Sequence, residues 1–326
     1  IQLPAGVPGV RVAVAPRTSA PAITDTLASF AVPSLMSGSD YVAIAGGELG
    51  SQTAPFDIFF GDAAQVGTTG NTDFDLNIFH GGSDAPGVAA FTDADALTPA
   101  VPSLTFGNFT GMTSLPAVDQ LLLLTLDANY NDMVSGFSVP LGALNAGGGA
   151  GVVFASGKLN PGPNEAAFGM FVALPDGTVL ELTQTDVSRV QIIHNAPDPA
   201  AASVDIYVVD PNGNVEQVED DFNYLEANEY GIIPSGNHRI LIAPSTSTDT
   251  TTAIFAANAT LMGNTSYQIF ARGLVDLSGT NFANSVSVNG NSVAFNLGIW
   301  SDAHPFSDLP NLVDAAVAHQ SPDAPV

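Results

Sequence analysis

The sequence predicts an all-β protein built from tandem, Ig-like antiparallel β-sandwich modules. Three observations carry this expectation. Short apolar runs with β-branched residues dominate the chain. Turn-forming residues, drawn from 32 glycines and 23 prolines, punctuate those runs. A phrase of about six residues is also written three times, at intervals close to one domain length.

The strand signals in chain order are Val10-Arg-Val-Ala-Val14, Val204-Asp-Ile-Tyr-Val208, Arg239-Ile-Leu-Ile242 and Val286-Ser-Val288. Turns are expected at Pro175-Asp-Gly177, Asp210-Pro-Asn-Gly-Asn214 and Asn289-Gly290, where Asp-Gly and Asn-Gly pairs favour tight hairpins. Helical periodicity is poor. Residues 24–30 and 311–318 are expected to make a helical turn or two and no more.

The repeated phrase fixes the modular register. It reads His80-Gly-Gly-Ser-Asp84-Ala-Pro86, then His194-Asn-Ala-Pro-Asp198-Pro199, then His319-Gln-Ser-Pro-Asp323-Ala-Pro325. Its spacings are 194 − 80 = 114 and 319 − 194 = 125 residues. A second landmark, Leu3-Pro-Ala-Gly6, Leu115-Pro-Ala117 and Ile233-Pro-Ser-Gly236, recurs at a similar interval. A third, Ser37-Gly-Ser-Asp-Tyr41 and Gly263-Asn-Thr-Ser-Tyr267, precedes an apolar strand each time. The phase places the C-terminal part of a module at 1–72, a divergent module at 73–187, another at 188–311, and the first strand of a further one at 312–326. Residues 300–312, with Pro305 and Pro310, read as a linker that includes Trp300.

Taken in order, His-x-Ser/Ala-Pro-Asp, Val-Asp-Ile-Tyr-Val, Leu-Pro-Ala-Gly and Gly-x-x-Tyr resemble the bacterial and archaeal surface module known as domain of unknown function 4397. Residues 190–275 match the pattern best. The 73–187 module departs from it, with no proline before Asp84 and Val88-Ala-Ala-Phe91 where the Asp-x-Tyr strand belongs. The resemblance implies an extracellular β-sandwich repeated along a secreted or cell-surface protein, and no known enzymatic activity.

Charge narrows the partners. The 326-residue chain carries 32 acidic against 6 basic residues, a formal net charge of −26. Such a surface repels nucleic acid and anionic membranes. The longest aliphatic stretch, Leu121-Leu-Leu-Leu124, is too short to span a bilayer, so no membrane insertion is expected in this segment. With no cysteine, there is neither a disulfide framework nor thiolate chemistry.

The repeated His80, Asp84, His194, Asp198, His319 and Asp323 suggest acid–base chemistry at first sight. Their recurrence in every module instead points to a structural corner, in which the aspartate accepts backbone N–H bonds. No catalytic residues are assigned. Oxygen-rich loops offer a possible calcium site at Asp127, Asn129, Asn131 and Asp132, and another at Asp210, Asn212 and Asn214. Both loops also have the composition of tight turns, and the first does not fit the EF-hand template, since Asp132 stands where its glycine belongs. Asp93 with Asp95, and Glu219-Asp-Asp221, are weaker acidic clusters.

The expected function is structural: a non-enzymatic part of an extracellular filament, fibre or stalk. Its partners would be copies of itself or adjoining modules of a longer chain. The alternative is a calcium-assisted adhesin or glycan-binding array. Two organisations suit the phase of the repeat, a window on a longer tandem array or strand donation from the region of Val317 into a neighbour.

Overall fold

The computed structural model describes residues 3–16, 18–19, 25–63, 72–277, 287–288, 291–307, 312–313 and 315–318. His319, Asp323, Val286 and the Asn289-Gly290 turn lie outside them. The described regular structure is strand, apart from isolated single turns of 3-10 helix.

In the first 63 residues, β1 (Arg11–Val14) pairs with β2 (Ala28–Ala31), and β3 (Tyr41–Gly46) pairs with β4 (Asp57–Asp62), both antiparallel. The expected helical turn at 24–30 is therefore corrected, because Ala28–Ala31 is extended and opposes Arg11–Val14 residue for residue. Its alternate residues are partly covered and exposed, so ladder bonds and one-sided burial outweigh local helical preference. Residues 312–313 and 315–318 likewise form no helix.

The next stretch supplies β5 (Asp73–His80), β6 (Val88–Thr92), β7 (Val101–Leu104), β8 (Phe109–Pro116) and β9 (Asp119–Leu126). It continues with β10 (Met133–Pro140), β11 (Ala150–Ser156), β12 (Gly169–Ala173), β13 (Val179–Glu181) and β14 (Thr183–Gln184). These form two five-stranded sheets, ordered β14-β10-β9-β6-β7 and β13-β12-β11-β5-β8.

The last stretch supplies β15 (Val187–Asn195), β16 (Ser203–Val209), β17 (Val215–Asn223), β18 (Gly231–Pro234) and β19 (Gly236–Pro244). After these come β20 (Phe255–Leu261), β21 (Thr265–Arg272), β22 (Ser287–Val288), β23 (Asn291–Ser292) and β24 (Asn296–Trp300). Two four-stranded sheets result, β18-β15-β21-β24 and β17-β16-β19-β20, beside a small β22-β23 hairpin. Trp300 is the last residue of β24 and opposes Gln268, so it belongs to a sheet and not to the linker expected at 300–312.

The chain divides into two compact units, one of 1–89, 101–120 and 138–184, the other of 90–100, 121–137 and 185–326. The first contains β1 to β4 and the β13-β12-β11-β5-β8 sheet, and the second contains both four-stranded sheets.

In the second unit, Val190, Ile192, Tyr267 and Ile269 of one sheet meet Val204, Ile206, Ile240 and Ile242 of the other, all buried. Burial of each such aliphatic side chain stabilises the fold by roughly 1.5–3 kcal/mol. Alternation along β15 and β21 puts these residues on one face, which is why the pattern is legible.

The two sets of sheets share one topology. β5 runs antiparallel to β8 and parallel to β11, just as β15 runs antiparallel to β18 and parallel to β21. The phrase histidine stands at the end of β5 and one residue before the end of β15, with His80 opposite Ala155 and His194 opposite Ala271.

Candidate functional site

The residues that recur do the same work wherever they are described. His80 and His194 are 2% and 0% exposed. His194 Nε2 lies 2.7 Å from the Ala201 carbonyl, and its Nδ1 accepts the Ala196 N–H at 3.3 Å. The second bond requires an unprotonated Nδ1, so the proton sits on Nε2 and is donated to Ala201. His80 Nε2 makes the equivalent contact with the Pro86 carbonyl at 2.9 Å. Burial pushes the His194 imidazole below the usual histidine range, against the opposing pull of Ala201 and Glu226.

The aspartates clasp a distant loop. Asp198 Oδ1 accepts the Ala200 N–H at 2.9 Å, and its Oδ2 accepts the Asp276 N–H at 2.8 Å. Asp84 accepts from Leu159 at 2.7 Å and from Asn160 at 2.9 Å. Burial acts to raise the Asp84 carboxyl, yet the Asn160 and Leu159 amides outweigh it and hold the group below its ordinary range. Both histidines and both aspartates thus direct their hydrogen bonds to backbone. The missing proline before Asp84 does not prevent the clasp.

Each clasped loop leaves its strand through a glycine at positive φ, Gly157 (+83°) before Leu159 and Gly273 (+88°) before Asp276. A Cβ at either position would come within 3 Å of a carbonyl oxygen, of Ala167 or Ala294, so glycine is required twice over. A tyrosine recurs as well: Tyr267 Oη accepts the Met262 N–H at 2.8 Å, and Tyr41 Oη accepts the Met36 N–H at 3.0 Å.

Beside the Asp84 loop, Ser83 Oγ donates to Glu48 Oε1. The single lysine, Lys158, sits 3.0 Å from Glu48 Oε2 and 2.7 Å from Glu165 Oε1. The hydrogen bonds that it donates to Glu165 and Glu48 raise its ammonium above the usual lysine range.

The oxygen-rich loops fold on themselves. Asp210 Oδ1 accepts the N–H groups of Asn212 and Asn214, each at 2.8 Å, and Asp210 Oδ2 accepts Asn214 Nδ2 at 2.8 Å. In the other loop, Asn129 Oδ1 accepts the Asn131 N–H at 3.1 Å, and Asn129 Nδ2 donates to Asp132 Oδ2 at 3.3 Å. Asp127 stands at the start of that loop. Among the described residues, no group of three or more His, Asp or Glu side chains is placed to hold a metal ion. Asp95 caps its own turn, accepting the Leu97 and Thr98 N–H groups. Burial raises the Asp93 carboxyl. Asp221, in the Glu219 cluster, has φ +53° and donates its N–H to Asp205.

One feature of the second unit was not read from the sequence. Arg189 is fully buried, its guanidinium 4.5 Å from the centre of the Phe91 ring and 5.0 Å from that of Phe306. Its Nη1 donates to the Tyr130 carbonyl at 2.7 Å, while Nε and Nη2 have no partner. Asn131 grips the Phe306 backbone from both sides, donating to its carbonyl at 2.8 Å and accepting its N–H at 3.2 Å. Burial lowers the guanidinium pKa to about 10. The available signal was an arginine inside the strand-like run Val187-Ser-Arg-Val-Gln-Ile-Ile193.

A family model described as "Domain of unknown function (DUF4397)" matches residues 188–295. No curated protein matches the chain. Among solved structures, a leucine-rich repeat protein from Bacteroides thetaiotaomicron VPI-5482 is similar at 10% identity and a TM-score of 0.26, covering 63% of this chain and 26% of its own. The Bacillus anthracis TIE protein is similar at 9% identity and a TM-score of 0.18, covering 81% of this chain and 51% of its own. The chain thus spans about a quarter and about half of the lengths of these two proteins.

Proposed function

With residues 188–295 forming a module of the domain of unknown function 4397 family, we propose that the chain is a non-enzymatic structural component of an extracellular filament, fibre or stalk. The observation that carries this reading is the repeated clasp. The polar residues that recur between modules, His80 with Asp84 and His194 with Asp198, bind backbone and hold loops in place. An array whose repeated polar residues serve its own architecture has its selected property in the architecture.

Location at the cell surface and association with copies of itself or with adjoining modules belong to the same proposal. The acidic surface, at a formal charge of −26, favours solubility and disfavours nucleic acid or an anionic membrane as the partner.

Negative-stain electron microscopy of the native material, with and without a calcium chelator, tests the reading. Long regular filaments are the expected result. Their dissolution by chelator would add calcium to the assembly. Dispersed beaded particles in both conditions would overturn the filament and favour an adhesive array.

A further inference from the structure

We propose that residues 315–319 of one copy of this chain add as a parallel strand to the open edge of β3 in a second copy, with Asp323 of the donor clasping the loop after β3. The inference rests on the filament reading and supplies its joint.

The β3–β4 hairpin repeats the local geometry of β11–β12 and β21–β24. After β3 the chain leaves through Gly47 at φ +83°, matching Gly157 and Gly273. Each glycine is followed by the same isolated parallel bridge, Glu48 with Pro55, Lys158 with Ala167, and Leu274 with Ala294. The Tyr41–Met36 bond reproduces Tyr267–Met262. Only the neighbouring strand differs. β11 and β21 each lie beside a parallel strand with the phrase histidine at or next to its end, whereas among the described residues β3 pairs with β4 alone.

Exposure on β3 marks the missing neighbour. In β21 the core-facing residues Tyr267, Ile269 and Ala271 are 3%, 2% and 1% exposed. Their counterparts are half-buried Tyr41 and exposed Ala43 and Ala45. An open edge with its apolar face uncovered is a template for strand addition.

The occupant is written in the chain. Ala315-Ala-Val-Ala-His319-Gln-Ser-Pro-Asp323 is the third copy of the strand-and-phrase unit whose first two copies fill the equivalent position. Residues 315–318 are exposed and unpaired in any strand, with Val317 96% exposed. Ala316 and Ala318 line a cavity with Trp300 and Phe270, which leaves Val317 facing outward.

The repeat also sets the register. His80 opposes Ala155 and His194 opposes Ala271, in each case the alanine two residues before the positive-φ glycine. The matching residue before Gly47 is Ala45. His319 therefore opposes Ala45, Val317 opposes Ala43, and Ala315 opposes Tyr41. By analogy with Asp84 on Leu159 and Asn160, Asp323 accepts from the amides of Leu49 and Gly50. Leu49 is 86% exposed.

The chain has no cysteine, so introduced thiols report on a clean background. Chains carrying Val317→Cys are mixed with chains carrying Ala43→Cys, assembled and oxidised. Neighbouring parallel strands place opposed Cα atoms about 4.8 Å apart, within disulfide reach, while a shift of two residues puts them about 8 Å apart, beyond it. The expected result is a disulfide-linked heterodimer with Ala43→Cys and about tenfold less with Ala45→Cys. The doubly substituted Ala43→Cys, Val317→Cys chain should give a ladder of linked oligomers. Adding Asp323→Ala to the donor should lower the yield several-fold, since a charge-assisted clasp is lost. Equal yields at Ala43 and Ala45, no linkage, or linkage only within single chains would each overturn the proposal. Microscopy of the same samples separates the two claims. Filaments without in-register linkage overturn strand addition alone, and linked pairs without filaments overturn the filament.

Discussion

The carboxylate of Asp198 holds the backbone of Asp276, 78 residues away in sequence, through an N–H to Oδ2 bond of 2.8 Å. Its other oxygen caps the turn at Ala200, so one side chain ties two separate loops to the end of β15. Asp84 ties its strand end to a single distant loop, accepting from the consecutive residues Leu159 and Asn160. An aspartate that recurs with its phrase is therefore a tie between a strand end and a loop that the sequence places far away.

Removing that tie should be costly. Asp198 is 5% exposed, and hydrogen bonds to a charged acceptor are worth about 1.5–3 kcal/mol each. Asp198→Ala should destabilise the 188–295 module by roughly 2–4 kcal/mol. Asp198→Asn should cost less, because the amide retains one acceptor oxygen. Urea unfolding measures the loss, and hydrogen exchange at the Asp276 amide should accelerate in step with it. Unchanged exchange at Asp276 in the alanine variant would remove the clasp from the argument.

These relationships explain what the sequence made legible. A residue bound to backbone can recur at a fixed offset from the strand it terminates, whatever side chains surround it, and so the His–Asp phrase stood out. The alternation of Val190, Ile192, Val204 and Ile206 revealed the sandwich faces for a similar reason, since period two is a local property. Parallel pairing of β15 with β21 was not legible, because it joins strands that are distant in the chain. The Arg189 box was hidden in the same way: Tyr130 lies 59 residues from Arg189, and no local pattern announces it. The helical turn expected at 24–30 failed because Ser29 and Phe30 find ladder partners in Ala13 and Val12.

Acid should weaken the two modules at separable pH values, the His194 module first and the Asp84 module later. The folded state depresses the His194 pKa, chiefly through burial, so the unfolded chain takes up a proton first as pH falls. Stability attached to this group is thus complete above the unfolded value of about 6.5 and declines as pH drops below it. The depressed Asp84 carboxyl acts later, losing its contribution only below the unfolded value of about 4. His194→Gln should start from lower stability at pH 7 and then lose less than the parent between pH 7 and 5. Thermal melts across that range test the difference, and parallel slopes for the two proteins would place the titration elsewhere.

Arg189 makes the opposite kind of prediction, because its burial is only partly compensated. The guanidinium gains one hydrogen bond to Tyr130 and two aromatic faces, a desolvated cation–π contact being worth about 2 kcal/mol. Against this stand Nε and Nη2, buried without partners at roughly 1–3 kcal/mol each, and the desolvation that lowers its pKa to about 10. Buried charges of this kind are often replaced by apolar residues of similar length at little cost or with a gain. Arg189→Met should therefore leave stability within about 1 kcal/mol of the parent, since methionine fills the slot between Phe91 and Phe306. Arg189→Ala should lose roughly 2–4 kcal/mol, the cost of an unfilled cavity beneath two rings. Both are read from urea midpoints on the same material. Equal, large losses in Met and Ala would mean that the charge is the source of stability, and similar small losses would mean that the box collapses around whatever occupies it.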